Sequence, residues 1–169
     1  MKNIAITGFM ASGKTETSKE LAKISGFKFV DTDDMIVRRE GRSINEIFER
    51  DGEEYFRQKE YETVLEAGKM RNTIISTGGG VVLSEDNMKA LRENSVVFNL
   101  SPSFDVIKTR IEEAAKTRPL MKNSSIEEIH NRFMARIPYY SNCDYKIEID
   151  FSHTPIMIAK KIWEIYRRI

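Results

Sequence analysis

Residues 8–15 read G-F-M-A-S-G-K-T, a full match to G-x-x-x-x-G-K-S/T, and this loop limits the possible folds more than any other feature of the chain. Its spacing has a mechanical cause. The glycines let the backbone curl until several N–H groups point inward, and a helix beginning at the end of the loop adds its positive N-terminal pole. Such a loop needs a strand before it and a helix after it. Lys2-Asn3-Ile4-Ala5-Ile6-Thr7 is a short β-type run and residues 15–24 carry a helical pattern, so the frame is present. A glycine turn with an incidental lysine is the alternative, and it leaves that frame unexplained. Within the loop, Lys14 can reach β- and γ-phosphate oxygens, and the Thr15 hydroxyl can sit on Mg2+.

The strand-then-helix rhythm continues along the chain. Strands are expected at 3–7, 27–31, 73–76, 95–100 and 145–149. Runs such as Ile74-Ile75 and Val96-Val97-Phe98 show little polar alternation, as parallel strands covered on both faces should. Helix starts are readable between them. Ser43-Ile44-Asn45-Glu46 is a capping box, and Ser101-Pro102 and Thr154-Pro155 each set an N-cap before a proline at the first helical position. A longer helix is expected over 53–70, apolar or aromatic at Tyr55, Phe56, Tyr61, Val64, Leu65 and Ala67. This pattern predicts an α/β, three-layer P-loop fold: a five-stranded parallel sheet flanked by helices, with ligands at the carboxyl ends of the strands. One segment breaks the rhythm. Residues 112–125 are polar, carry two lysines and an arginine, and are interrupted by Pro119; they read as a mobile lid, with an ordinary helix–helix connection as the alternative.

A length of 169 residues suits a single domain over 1–169 with the lid embedded in it. With 27 basic and 26 acidic residues the net charge is +1, so nothing global attracts nucleic acid or an acidic membrane. Cys143 is the single cysteine, which excludes an internal disulfide, fits a reducing cytosol and reads as a small packed hydrophobe. His130 and His153 lie far apart and no Cys/His metal spacing exists. No apolar stretch approaches a membrane span, and the first apolar run leads straight into the phosphate loop, so no signal peptide is expected. A cytoplasmic chain without nucleic-acid or membrane partners is the expectation.

A phosphate loop specifies a nucleotide, not a reaction, so the other strand ends must decide. Residues 27–31 end in Asp31, followed by Thr32, Asp33 and Asp34. A carboxylate there suits a magnesium shell, often through water. The D-x-D spacing puts Asp31 and Asp33 on one side of an extended chain, so that one can face a metal while the other serves a substrate hydroxyl; Asp34 reads as a possible helix cap. Thr77-Gly78-Gly79-Gly80 follows the third strand. Three glycines exceed what a tight turn needs and suggest backbone N–H groups brought close to a ligand. That loop carries no Asp and no N-K-x-D motif occurs, which argues against a GTPase switch. Arg57, Arg118 and Arg136 are the basic residues whose planar forks suit a carboxylate or a transferring phosphoryl group, although each taken alone also reads as a solvated surface charge.

Taken together, these pieces resemble the shikimate kinase family, in the nucleoside-monophosphate-kinase branch of the P-loop fold. The order is the phosphate loop, D-T-D, F-R-x-x-E at 56–60, T-G-G-G, R-P-L at 118–120 and R-x-P-x-Y at 136–140, spanning nearly the whole chain. The resemblance implies ATP and shikimate as substrates, Mg2+ as cofactor and a monomer. It places Ala11, Ser12, Gly13, Lys14, Thr15 and Glu16 on the ATP phosphates, with Thr15 and Asp31 at the metal. It puts Asp33 on the ring hydroxyls as the base candidate, Arg57 and Arg136 on the carboxylate, and Gly78, Gly79 and Gly80 against the ring. Arg118 would swing in with the lid, an acceptor-binding helical segment would span about 32–61, and Arg110 with residues 150–155 would lie beside the adenine. Met121 stands where a second leucine is usual and Tyr139 follows Pro138 where leucine is commoner, both volume-tolerant changes; Phe151-Ser152-His153 is less typical. Two other readings stay open at this point: a kinase for gluconate or a nucleoside monophosphate, and a catalytically silent nucleotide-binding regulator.

Overall fold

The computed structural model describes residues 1–117 and 124–169. In chain order the elements are β1 (Asn3–Gly8), α1 (Lys14–Ser25), β2 (Lys28–Asp31), α2 (Thr32–Glu40), α3 (Ile44–Lys69) and β3 (Thr73–Ser76). A short 3-10 turn (Val81–Leu83) follows, then α4 (Glu85–Asn94), β4 (Ser95–Pro102), α5 (Phe104–Thr117), α6 (Ile126–Tyr140), β5 (Tyr145–Ile149) and α7 (Pro155–Tyr166). The five strands form one parallel sheet in the order β2-β3-β1-β4-β5. β1 therefore lies at the centre, and every residue from Asn3 to Gly8 is buried. The burial expected of strands covered on both faces holds for β1, β3 and all of β4 but Ser101, whereas the edge strands β2 and β5 are half open.

Helices cover both faces. Leu21 of α1 and Ile158, Ala159, Ile162 and Tyr166 of α7 pack on Ile4, Ile6, Ile74 and Phe98. On the other face Val64, Ala67, Met88, Leu91, Ile107, Ile111 and Ile129 meet Ala5, Ile75 and Val97. A third, smaller cluster of Ile36, Ile47 and Phe56 joins α2 to α3. Each such buried side chain contributes about 1.5–3 kcal/mol, so this cluster adds to the main core, through Met35, Val64 and Ala67, in holding the two helices that carry Asp33 and Arg57.

Two local expectations change and two hold. The helix expected over 53–70 is the second half of α3, joined to an earlier half at Gly52, whose φ of 84° interrupts the helical backbone. The cap at Ser43 is real: its Oγ accepts the Glu46 N–H at 3.1 Å, and Glu46 turns back toward that hydroxyl. Ser101-Pro102, read as a helix start, instead ends β4, and the Ser103 carbonyl takes the first helical bond, from Ile107. Proline is tolerated there because β4 has outrun β1 at Leu100 and keeps a neighbour on one side only, at Ile149. Thr154-Pro155 does start a helix, with the Thr154 hydroxyl accepting the Met157 N–H at 3.3 Å.

The consequence for function is geometric. The phosphate loop, Asp31 and the glycine loop all leave the carboxyl edge of the sheet from β1, β2 and β3, three strands that lie side by side.

Candidate active site

The phosphate loop owes its shape to two glycines. Gly8, at φ 154°, faces the Ser12 hydroxyl so closely that a Cβ would lie 2.7 Å from Oγ. Gly13, at φ 89°, stands at the N-cap of α1 with no side-chain cap. The first-turn N–H groups of Lys14, Thr15 and Glu16 are thereby left to an anion, where the positive end of the helix adds to them. Ala11 takes a left-handed φ of 58° without being glycine, at a cost of about 1–2 kcal/mol. Arg110 of α5 holds it there, donating to the Ala11 carbonyl at 2.9 Å. Lys14 folds over the loop onto the carbonyls of Gly8 (2.7 Å) and Phe9 (3.0 Å). Burial lowers its pKa to about 8, although Asp33 and Asp31 pull the other way.

The two carboxylates of D-T-D divide their work differently from the extended-chain expectation. Asp31 is the N-cap of α2: its Oδ1 accepts the N–H groups of Asp33 (3.0 Å) and Asp34 (3.1 Å). Asp34 is therefore not the cap, and Asp33 stands inside the first turn of a helix. The second oxygen of Asp31 meets the Thr15 hydroxyl at 3.4 Å. A serine or threonine hydroxyl beside a carboxylate oxygen is the hard-oxygen donor set that Mg2+ takes, the remainder being phosphate and water. Asp33 has another character. Burial, then the charges of Asp31 and Glu60, push its pKa up to about 6, against the pull of Lys14.

The glycine loop explains itself through side chains. A Cβ on Gly78 would lie 2.5 Å from Asp33 Oδ1; one on Gly79 would lie 3.4 Å from Arg136 Nη1; one on Gly80 would overlap the Arg57 guanidinium. Three successive residues thus each support one of three side chains, from α2, α6 and α3. The expectation of open N–H groups needs adjusting, because the Gly78 N–H is spent on Thr32 Oγ1 at 2.9 Å. Glu60, 1% exposed, accepts from Arg57 at 2.9 Å and feels the charge of Arg136; burial raises its pKa against both guanidinium groups. Arg136 also lies over the Phe9 ring, 5.8 Å from its centroid.

The other expected positions scatter. Ser12 is buried and its hydroxyl has no partner among the described residues, while Glu16 is exposed. Arg110 reaches the phosphate loop. Of residues 150–155, the first few form a turn around Asp150, which accepts from Ser152, with Phe151 exposed, and Pro155 opens α7. Arg118, and with it the centre of the expected lid, lies outside the described residues. A cavity of about 510 Å³ between α6 and β5 is lined by Phe9, Phe133, Ile137 and Lys146 among others, and of the expected site residues it includes only Asp150, from the stretch expected beside the adenine. Glu60 was visible in the sequence as the last position of F-R-x-x-E, three residues past Arg57; its role there was not.

A phosphate loop beside an oxygen pair fit for Mg2+, on a five-stranded parallel sheet, defines a P-loop nucleotide-binding protein. The family model for shikimate kinase matches residues 10–167. The chain is 41% identical over 167 residues to the shikimate kinase of Caldicellulosiruptor bescii, covering 98% of this chain and 96% of that one. It is 42% identical over 170 residues to that of Caldanaerobacter subterraneus subsp. tengcongensis, covering 100% and 98%. Among solved structures, shikimate kinase from Acinetobacter baumannii in complex with shikimate superposes with a TM-score of 0.89 at 28% identity, over 99% of this chain and 94% of that one. The chain belongs to the shikimate kinase family.

Proposed function

We propose that this chain transfers the γ-phosphoryl group of ATP to the 3-hydroxyl of shikimate, giving shikimate 3-phosphate and ADP. The observation that carries the reading is the glycine loop, which supports one carboxylate and two guanidinium groups beside the phosphate loop. A small, polyhydroxylated carboxylate needs that set: Arg57 and Arg136 to grip its carboxylate, Asp33 to hold a hydroxyl, and the Gly79 and Gly80 backbone to let the ring approach. Membership of the family and the shikimate complex of the A. baumannii relative support the same acceptor.

Each group has a task in that transfer. Lys14 and the loop N–H groups hold the ATP phosphates, and Thr15 with Asp31 would hold Mg2+, which when bound neutralises charge on the β- and γ-phosphate oxygens. Asp33 orients the 3-hydroxyl toward the γ-phosphorus and receives its proton as the P–O bond forms; a carboxylate near 6 suits that at neutral pH. Arg118 would arrive with the lid and neutralise the moving phosphoryl group, while closure excludes competing water. Every assigned group comes from one chain, so a monomer suffices, and the single cysteine supports a cytoplasmic setting. A coupled ADP-release assay with Mg·ATP and parallel shikimate, gluconate and AMP decides: turnover with shikimate is expected, and its absence would sink the reading.

A further inference from the structure

The glycine loop is held from two sides by residues with no assigned role. Thr32, fully buried at the start of α2, accepts the Gly78 N–H at 2.9 Å. Tyr140, in the last turn of α6, donates its hydroxyl to the Gly79 carbonyl at 2.9 Å. The first bond fixes the peptide before Gly78 and the second fixes the peptide after Gly79. Between them lie the two residues against which Asp33 and Arg136 rest. Burial pushes the Tyr140 hydroxyl up to about 12, so it remains a donor throughout the neutral range.

The placement along the helices matters as much as the bonds. Thr32 directly precedes Asp33, and Tyr140 lies one helical turn beyond Arg136. Each anchor therefore shares a rigid element with the side chain whose resting place it pins. Movement of α2 or α6 relative to the loop would have to break a buried hydrogen bond and leave a polar group without a partner.

We propose that Thr32 and Tyr140 are positioning residues that set the spacing of Asp33 and Arg136 by clamping the glycine loop between α2 and α6. The inference rests on the acceptor roles of Asp33 and Arg136 given above, but the clamp itself can be read without any acceptor. In Thr32→Val the Gly78 amide should exchange with solvent roughly tenfold or more faster, while amides of β1 keep their protection. In turnover the same variant should raise KM for shikimate and lower kcat, about tenfold or more in kcat/KM, with KM for ATP unchanged. Thr32→Ser, which keeps the hydroxyl, should restore both readouts, and Tyr140→Phe should repeat the kinetic pattern.

An equally protected Gly78 amide in Thr32→Val overturns the clamp. So does a Thr32→Ser variant as impaired as Thr32→Val, or a parallel rise in KM for ATP, since either marks a packing defect. If Thr32→Val does not fold, Tyr140→Phe decides, and an unchanged shikimate KM refutes the proposal. Wild-type protein that ignores shikimate would end the proposed function, while the Gly78 exchange would still judge the clamp.

Discussion

Gly80→Ala isolates the position of Arg57 from its presence. Gly80 sits at φ −94° and ψ −1°, open to L-residues, so alanine adds no left-handed strain. Its methyl would nonetheless overlap the Arg57 guanidinium, with Nη2 at 2.8 Å and Cζ at 3.0 Å. To regain ordinary contact at 3.4 Å, Nη2 must retreat by about 0.6 Å and Nη1 farther. The Arg57 side chain is 30% exposed and can swing outward, so the cost falls on its aim more than on folding. Removing a glycine contributes about 0.4–1 kcal/mol of stability through the unfolded chain, which partly offsets a weakened Arg57–Glu60 pair. Truncating a buried charge-assisted pair costs about 2–5 kcal/mol. A guanidinium displaced rather than deleted should lose less than full truncation, about 1.4–2.8 kcal/mol, a tenfold to hundredfold rise in KM. Steady-state ADP release with shikimate varied at saturating Mg·ATP reads this directly, alongside KM for ATP and Tm, both expected to stay close to wild type. A shikimate KM within about twofold of wild type would refute the argument that the glycine exists to seat Arg57.

Other outcomes follow from the same geometry. Arg136→Ala should raise KM for shikimate by the equivalent of about 2–5 kcal/mol while sparing ATP; an unchanged KM removes it from the acceptor site. Asp33→Asn should nearly abolish kcat and leave ATP affinity intact in a direct binding titration, and wild-type turnover would show that Asp33 is not the base. With Asp33 near 6 and Lys14 near 8, kcat/KM should fall about tenfold per unit as pH drops below 6, and ATP binding should weaken as pH rises through 8. A flat profile from 5 to 9 contradicts both assignments. Because Asp33 holds its proton more tightly folded than unfolded, its stabilising contribution is complete below the ordinary value of 3.8 and is lost as pH rises through about 6. Asp33→Asn should therefore melt higher than wild type at pH 8, and a lower Tm there would reverse that sign.

The legible parts of this molecule are those whose cause is local. The phosphate loop is a backbone shape that its own glycines permit, so eight consecutive letters suffice to recognise it. Thr154-Pro155 caps a helix because hydroxyl, proline and first-turn N–H lie within four residues. Ser101-Pro102 carries the same letters and ends a strand instead, since a neighbour at Ile149 and none beyond Leu100 make a missing N–H harmless there. Asp31 and Asp33 could be paired from spacing and the cap on α2 is local, but the desolvation of Asp33 and the Thr15 contact of Asp31 depend on other elements packing around them.

By itself the sequence determined the strand–loop–helix at the phosphate site, the alternating α/β pattern, and the residue types from which an anionic, hydroxylated acceptor could be inferred. Tertiary structure alone decided that β1 is central, that β2 and β5 are edges, and that Gly78, Gly79 and Gly80 are seats for Asp33, Arg136 and Arg57. The physical reason is range. Backbone curvature and capping are settled within a few bonds of the chain, whereas burial, the pKa of Asp33 and the reach of Arg136 to a glycine 57 positions earlier exist only once separate helices pack on a common sheet edge.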